Sequence, residues 1–240
     1  MNTYPGILIV FDGIDGAGKT TQVRLLEDAL TAIGENVIVS KEPTDGQWGK
    51  KLRESALNGR MPFAEELEAF IHDRQDHLNN KIIPALESGS IVILDRYFYS
   101  TIAYQGILVG DYKEIEARIR HEVVVPDVAF WMDLPSDLAV SRVRGRDGAL
   151  NNFERQDDLT KAGDIFRQIS EADPVLARVD ATMSVPLLHK SIIDKLVGGA
   201  LKEKRCAKKY GCDEPVYCIP RHTDTCDWWS IKKKLASTAL

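Results

Sequence analysis

GIDGAGKT, residues Gly13 to Thr20, sits between an apolar, β-rich run, GILIVF (Gly6–Phe11), and a stretch from Thr20 to Ile33 whose apolar residues fall at helical spacing. The octapeptide fits G-x-x-x-x-G-K-[ST], and the strand before it and the helix behind it are the context that gives the pattern physical meaning. Glycines let the backbone fold tightly enough for its N–H groups to face phosphate oxygens, and the helix N-terminus adds a favourable dipole. Lys19 is placed to reach the β- and γ-phosphates, and the Thr20 hydroxyl to ligate Mg²⁺. The loop and the turn behind it (Gly13, Ile14, Asp15, Gly16, Ala17, Gly18, Lys19, Thr20 and Thr21) are read as a nucleoside triphosphate site, with ATP the expected nucleotide.

Working outward, Asn36–Ser40 (NVIVS), Ile91–Leu94 (IVIL), Asp127–Leu134 (DVAFWMDL) and the short Leu176–Val179 read as further strands. Helical stretches separate them: one containing Lys50–Leu57, then Phe63–Leu86 with a break expected near Pro84, Lys113–Glu122, Ser136–Val143, Phe153–Glu171 and Val185–Val197. Arg144–Asn152 reads as a charged loop. Strands alternating with helices predict an α/β fold of the P-loop NTPase kind, a five-stranded parallel sheet with helices on both faces. Ligands of such sheets bind beyond the carboxyl ends of the strands. That puts GIDGAGKT, the loop after Ser40 and the segment from Asp95 on one rim. The alternation stops past Val197, so residues 1–199 are expected to form the domain and residues 200–240 a C-terminal extension.

Composition narrows the partners. The net charge of −5 is uneven: residues 200–240 hold nine Lys/Arg against five Asp/Glu, a net of +4, which leaves −9 on residues 1–199. The body therefore lacks a basic footprint for nucleic acid, and locally placed arginines suit a small anionic ligand better. No apolar run approaches the ~20 residues that span a bilayer, and the start, MNTYPGILIVFDG, lacks a basic leader; a cytoplasmic protein is expected. All four cysteines lie in the extension, so no disulfide framework is expected in the body.

A phosphate loop alone leaves GTPases, ATPases, helicases and small-molecule kinases open. The base-reading and switch motifs of a GTPase are not found after the later strands, and the chain is short for a motor. A kinase needs a second pocket with its own arginines. LDRYFYSTIAYQG (Leu94–Gly106) sets Asp95, Arg96, Tyr97, Thr101, Tyr104 and Gln105 directly behind a strand. In EELEAFIHDRQDHL, Phe70 and Arg74 stand at i, i+4 and share a helix face. A planar base could stack on Phe70 with Arg74 at its edge; equally, Phe70 could be core and Arg74 a solvated charge.

Taken together, the sequence resembles the thymidylate kinase family, nucleoside monophosphate kinases that make dTDP from dTMP and ATP. The resemblance runs from about Gly6 to Val197 and rests on FDGIDGAGKTTQ, KEPTDGQWGKKLRES (Lys41–Ser55), FIHDRQDH, LDRYFYSTIAYQG and PDVAFWMDL. It implies that Arg96 binds the acceptor phosphate, that Asp95 with Thr20 helps hold Mg²⁺, and that Thr101 and Gln105 bond the thymine edge. It also implies that Tyr104 sits against the sugar, Arg53 is a second phosphate arginine, Phe70 stacks on the base and Arg74 reaches its carbonyl. Asp15 would lie near the acceptor sugar, and Glu42 and Pro43 would shape the pocket loop. A homodimer is implied as well.

One subgroup of the family carries a catalytic arginine in the phosphate loop, where this chain has Gly16. SRVRGRDGALNNFER offers Arg142, Arg144, Arg146 and Arg155 instead, resembling a lid (about 142–155) that supplies the arginine, with Arg146 expected first and Arg142 and Arg144 next. Asp12 stands where the family pattern has Glu, Tyr99-Ser100-Thr101 replaces a smaller serine-rich run, and that run and His72 are expected close to the base site. Beyond the resemblance, Cys206, Cys212, Cys218, His222 and Cys226 could supply zinc ligands, although their spacing lacks a tight pair; a packed or flexible tail with free thiols is the alternative. Alternatives to a dTMP kinase are a kinase for another monophosphate (dUMP or a cytidine nucleotide) and a non-catalytic nucleotide-binding regulator.

Overall fold

Five strands, β1 (Ile7–Asp12), β2 (Val37–Lys41), β3 (Ile91–Asp95), β4 (Val128–Asp133) and β5 (Leu176–Asp180), pair in parallel in the order β2-β3-β1-β4-β5. The structure is a computed structural model that describes residues 2–147, 156–201 and 235. Ile7 to Phe11 and Ile91 to Leu94 are apolar at every position and fully buried, as central strands covered on both faces must be. The connection from β1 to β2 runs one way across the sheet and the later ones run the other way, so right-handed crossovers lay helices on both of its faces. Those helices are α1 (Lys19–Ala32), α2 (Gln47–Asn58), α3 (Phe63–His77), α4 (Ile83–Glu87), α5 (Phe98–Val109), α6 (Tyr112–Ile119), α7 (Ser136–Asp147), α8 (Gln156–Ala172) and α9 (Val185–Gly198). Among the described residues, no helix is long and apolar enough to cross a membrane.

The β1–β3 register positions the rim. Phe11 is opposite Asp95 and the two strands run in step, so both chain segments leave the sheet together. The phosphate loop after β1 and the segment after β3 therefore emerge side by side.

Three local features go beyond or against the sequence reading. The segment behind β3, to which that reading assigned no element, is a helix, α5. Phe98 to Gly106 are buried on every side, and its few polar residues, Ser100, Thr101 and Gln105, line a cavity and form no solvent-exposed stripe to betray the period. No break occurs at Pro84. A π-helical turn, Leu78–Ile82, precedes it and joins α3 to α4, the sort of local widening that accommodates a residue without an N–H. Finally, α7 continues to Asp147, through residues expected to begin a loop at Arg144.

Within α5 the helical period turns Tyr99 away from the rim. Its hydroxyl donates to Asp173 Oδ2 (2.9 Å), which also accepts from Arg120 Nη2 (2.6 Å), tying α5 to the turn between α8 and β5. Tyr99 is thus a buried strut and not a neighbour of the base site. Tyr99→Phe is expected to cost about 1 kcal/mol of stability in urea denaturation and to leave nucleotide affinity unchanged; a shifted affinity with unchanged stability would contradict this placement.

Candidate active site

Two glycines shape the phosphate loop. Gly13 is at φ 137 and Gly16 at φ 80, conformations open to glycine, and a Cβ would lie 2.8 Å from the Met132 carbonyl or 2.7 Å from that of Ala139, respectively. Lys19 curls back to donate to the carbonyls of Gly13 (3.0 Å) and Ile14 (2.8 Å). Burial and the neighbouring Arg96 pull its ammonium down to about 8, against the opposing pull of Asp15, Asp95 and Asp12. At the first turn of α1, Thr20 Oγ1 donates to Asp95 Oδ2 (2.5 Å). A hydroxyl and a carboxylate meeting beside a phosphate loop are hard oxygen donors that suit Mg²⁺. No group of three or more His, Cys, Asp or Glu among the described residues could hold a metal. An ion here would complete its shell with water and phosphate oxygens, the habit of Mg²⁺.

Beside that loop opens a cavity of about 300 Å³, whose lining includes Asp15, Glu42, Pro43, Arg53, Phe70, Arg74, Arg96, Thr101, Tyr104 and Gln105. Arg96 heads it. Its Nη1 donates to the Gly13 carbonyl (2.9 Å) and to Ser100 Oγ (3.0 Å), and its Nη2 to Asp15 Oδ1 (2.5 Å). Tyr104 donates to the other Asp15 oxygen (3.2 Å), and the Arg96 guanidinium lies over its ring. Burial alone would raise the Asp15 carboxyl, yet Arg96 and Lys19 outweigh it and hold the group below the ordinary range.

The far wall is a buried charge network. Glu42 Oε2 accepts from Arg74 Nε (2.9 Å) and Nη2 (2.8 Å), and Oε1 contacts His77 Nδ1 (3.1 Å). Arg74 Nη2 also donates to Thr101 Oγ1 (2.9 Å). Arg74 is therefore a fixed part of the wall and not a solvated charge. Burial opposes ionisation of Glu42, but Arg74 and His77 prevail and its carboxyl sits below the usual glutamate range. Arg53 Nη1 reaches the carbonyls of Pro43 (2.9 Å) and Thr44 (2.6 Å), while Asp73 clamps Thr44 through its N–H and hydroxyl. Gln105 is fully buried in the lining, and both its amide atoms lack a hydrogen-bond partner among the described residues. A buried amide with neither end satisfied is rare enough to require an explanation, and a ligand edge supplies one.

The structure therefore brings the acceptor residues expected from the sequence into one cavity beside the phosphate loop. It also brings in residues to which the sequence reading gave no role of their own: Ser100, which lines the cavity, Asp12 bonded to it, and His77 beside Glu42. Ser100, Thr101, Tyr104 and Gln105 recur at helical spacing, a signal that becomes legible once α5 is recognised. His72, expected close to the base site, is exposed and packs against Trp48 with ring centroids 4.9 Å apart and the planes tilted by 31°; it is absent from the cavity lining, because one residue of helix separates it from Phe70 and turns it outward.

Comparison with known proteins fits this geometry. The family described as Thymidylate kinase matches residues 11–192. A protein of Xanthomonas euvesicatoria pv. vesicatoria named Thymidylate kinase is 42% identical over 206 residues, covering 81% of this chain and 88% of its own. One of the same name from Desulfotalea psychrophila is 38% identical over 195 residues, covering 80% of this chain and 95% of its own. The chain belongs to the thymidylate kinase family.

For this thymidylate kinase family member the departure at Gly16 has a steric basis. An arginine there would carry a side chain at positive φ into the Ala139 carbonyl of α7. The Gly16 carbonyl instead accepts from Arg142 Nη1 (3.3 Å), and the Arg142 guanidinium also reaches the Ala181 carbonyl behind β5 (3.4 Å from Nη2). Arg144 is exposed on the same helix. The side chain of Arg146, the remaining lid positions 148–155, and Cys206, Cys212, Cys218, His222 and Cys226 lie outside the described residues.

The Glu42 network allows a direct check. Glu42→Gln removes the buried anion between Arg74 and His77 and is expected to cost about 3 kcal/mol at neutral pH. Because the folded-state value of Glu42 is depressed, its contribution is full above the unfolded-state value of about 4.3 and is lost as pH falls through the folded value. The gap between wild type and Glu42→Gln in denaturant midpoint should close on acidification below that range; a gap independent of pH would contradict the ion pairing.

Proposed function

We propose that this chain is a dTMP kinase, transferring the γ-phosphoryl group of ATP to the 5′-phosphate of dTMP to give dTDP and ADP. The observation that carries the reading is the cavity itself: Arg96, anchored on the phosphate loop, heads a slot whose other end holds the partnerless Gln105 amide beside Thr101 and Arg74. A planar base fits between Phe70 and that wall, with Gln105, Thr101 and Arg74 facing its polar edge. Tyr104, held by Asp15, lies where the sugar must pass and crowds a 2′-hydroxyl.

Phosphoryl transfer asks the protein for position and charge and for little covalent chemistry. Lys19 and the loop N–H groups hold the donor phosphates. Arg96 and Arg53 draw the acceptor phosphate towards them and offset the repulsion between two anions. Mg²⁺, held through Thr20 and Asp95, supplies further neutralisation of the donor phosphates when bound. The lid arginines are Arg146, expected first, then Arg142 and Arg144; among their described side chains Arg142, already on the Gly16 carbonyl, reaches the phosphate loop. No general base is needed, because the acceptor phosphate is itself the nucleophile. Residues 1–199 make up the kinase domain and residues 200–240 an appendage; the protein works in the cytoplasm, as a homodimer.

ATP turnover with Mg²⁺ is to be measured against dTMP, dUMP, dCMP, UMP, CMP, AMP and GMP in turn, and a clear preference for dTMP is expected. Arg96→Ala should lower turnover roughly 10³-fold with ATP still bound. Phe70→Ala should chiefly raise the KM for dTMP, roughly tenfold or more for the loss of one stacking face. Preference for another monophosphate would overturn the assignment of the base, and normal turnover by Arg96→Ala the assignment of the phosphate site.

A further inference from the structure

Behind Arg96 lies a carboxylate that the proposed reaction does not use. Asp12, the last residue of β1, has no exposed surface. Its Oδ1 accepts from the Ser100 hydroxyl and its Oδ2 from the Tyr97 N–H (3.2 Å). Ser100 Oγ in turn accepts from Arg96 Nη1 (3.0 Å). Burial pushes the Asp12 carboxyl up to about 7, with Ser100, Arg96 and Lys19 pulling it back towards the ionised form; once ionised it only accepts, whereas a hydroxyl has one proton and two acceptor sites. With its proton committed to Asp12, Ser100 is left with lone pairs for Arg96. The polarity of the chain is thereby set from the buried end outward.

The same carboxylate holds the backbone. Arg96 is at φ 72, a left-handed conformation costly for a residue with a Cβ. The peptide before it is fixed by Arg96 N–H donating to the Phe11 carbonyl (2.8 Å), and the peptide after it by Tyr97 N–H donating to Asp12. Asp12 thus grips Arg96 twice, through its backbone and through Ser100 on its guanidinium.

We infer that Asp12, acting through Ser100, is the positioning residue that aims Arg96 at the acceptor phosphate. The inference rests on Arg96 being the phosphate arginine of the proposed reaction. Asn in place of Asp12 cannot do both tasks. With its oxygen towards Ser100, its amide faces the Tyr97 N–H, donor against donor; turned over, it accepts from Tyr97 but donates to Ser100, whose proton then loses the acceptor that fixed its direction. Either way the network that fixes Ser100 and the peptide behind Arg96 loses one of its bonds.

The test measures binding of dTMP and of thymidine, which lacks the phosphate, by calorimetry to wild type, Arg96→Ala, Asp12→Asn, Ser100→Ala, Ser100→Thr and the Asp12→Asn/Ser100→Ala double variant. Asp12→Asn and Ser100→Ala are expected to weaken dTMP binding at least tenfold while thymidine binding stays within about twofold, a split that general loosening of the fold would not produce. Ser100→Thr, which keeps the hydroxyl, should restore dTMP binding, and the double variant should lose no more than Asp12→Asn alone. Ser100→Ala removes only a hydroxyl at the cavity wall, so the split can be read even if Asp12→Asn fails to fold. If Arg96→Ala separates the two ligands and Ser100→Ala does not, the positioning role is wrong and the phosphate site stands. If Arg96→Ala itself leaves dTMP binding unchanged, the phosphate reading falls and the positioning role with it.

Discussion

Arg96 occupies a backbone conformation that a side chain avoids, φ 72, and the rim is organised around keeping it there. Such a residue costs roughly 1–3 kcal/mol and persists only where its surroundings over-determine it. Here the surroundings are explicit. The neighbouring peptides are bonded to Phe11 and Asp12, and the guanidinium to Gly13, Ser100 and Asp15. Four of these five acceptors belong to β1 or the loop after it. The donor loop and the acceptor arginine are therefore one unit, and displacing either disturbs the other.

That unity comes from the sheet. β1 and β3 are adjacent and in register to Phe11 and Asp95, so the phosphate loop and the segment that carries Arg96 leave the sheet at the same height. Thr20 bonded to Asp95 closes the gap on one side and Arg96 bonded to Asp15 closes it on the other. A parallel sheet in which β1 and β3 were separated could carry the same side chains and bring no two phosphates together. Topology here supplies what catalysis by proximity needs.

The parts legible in the sequence are those with local signatures. The phosphate loop shows because glycines, Lys19 and Thr20 are contiguous, and the five strands because buried parallel strands are continuous apolar runs. Phe70 and Arg74 show through helical spacing. What stayed hidden depends on the fold. α5 has apolar residues on every face, so its period cannot be read, and with it the placing of Ser100 in the cavity and of Tyr99 out of it. Asp12 reads as one more polar residue at a strand end until Ser100, 88 positions later in the chain, is seen to donate to it. His72 and Phe70 are two apart in sequence but face different sides of α3, a distinction that motif matching does not make.

The cations of the rim differ in what they hold, and the difference sorts them by task. Arg74 and Glu42 are enclosed, with side chains only 3% and 5% exposed, so exchanging that partner for a ligand would strand a buried carboxylate, a change costing several kcal/mol. Arg74 therefore keeps its carboxylate in place, and in the proposed reaction it would present a fixed edge to a neutral base. Lys19 and Arg53 donate to backbone carbonyls, neutral acceptors that a phosphate oxygen can replace with a stronger, charge-assisted bond; Arg53 also pairs with Asp45 (3.2 Å), a largely solvent-exposed carboxylate whose ion pair is weak. Arg96 stands between the two cases: its partner Asp15 is an anion, but the pair is 18% and 26% exposed and open to the cavity. A phosphate arriving there meets a guanidinium already aimed by Gly13 and Ser100, and Asp15, released in part, remains held by Tyr104. The side chains that must exchange partners have exchangeable ones, and the side chain that must stay still has a partner it cannot leave.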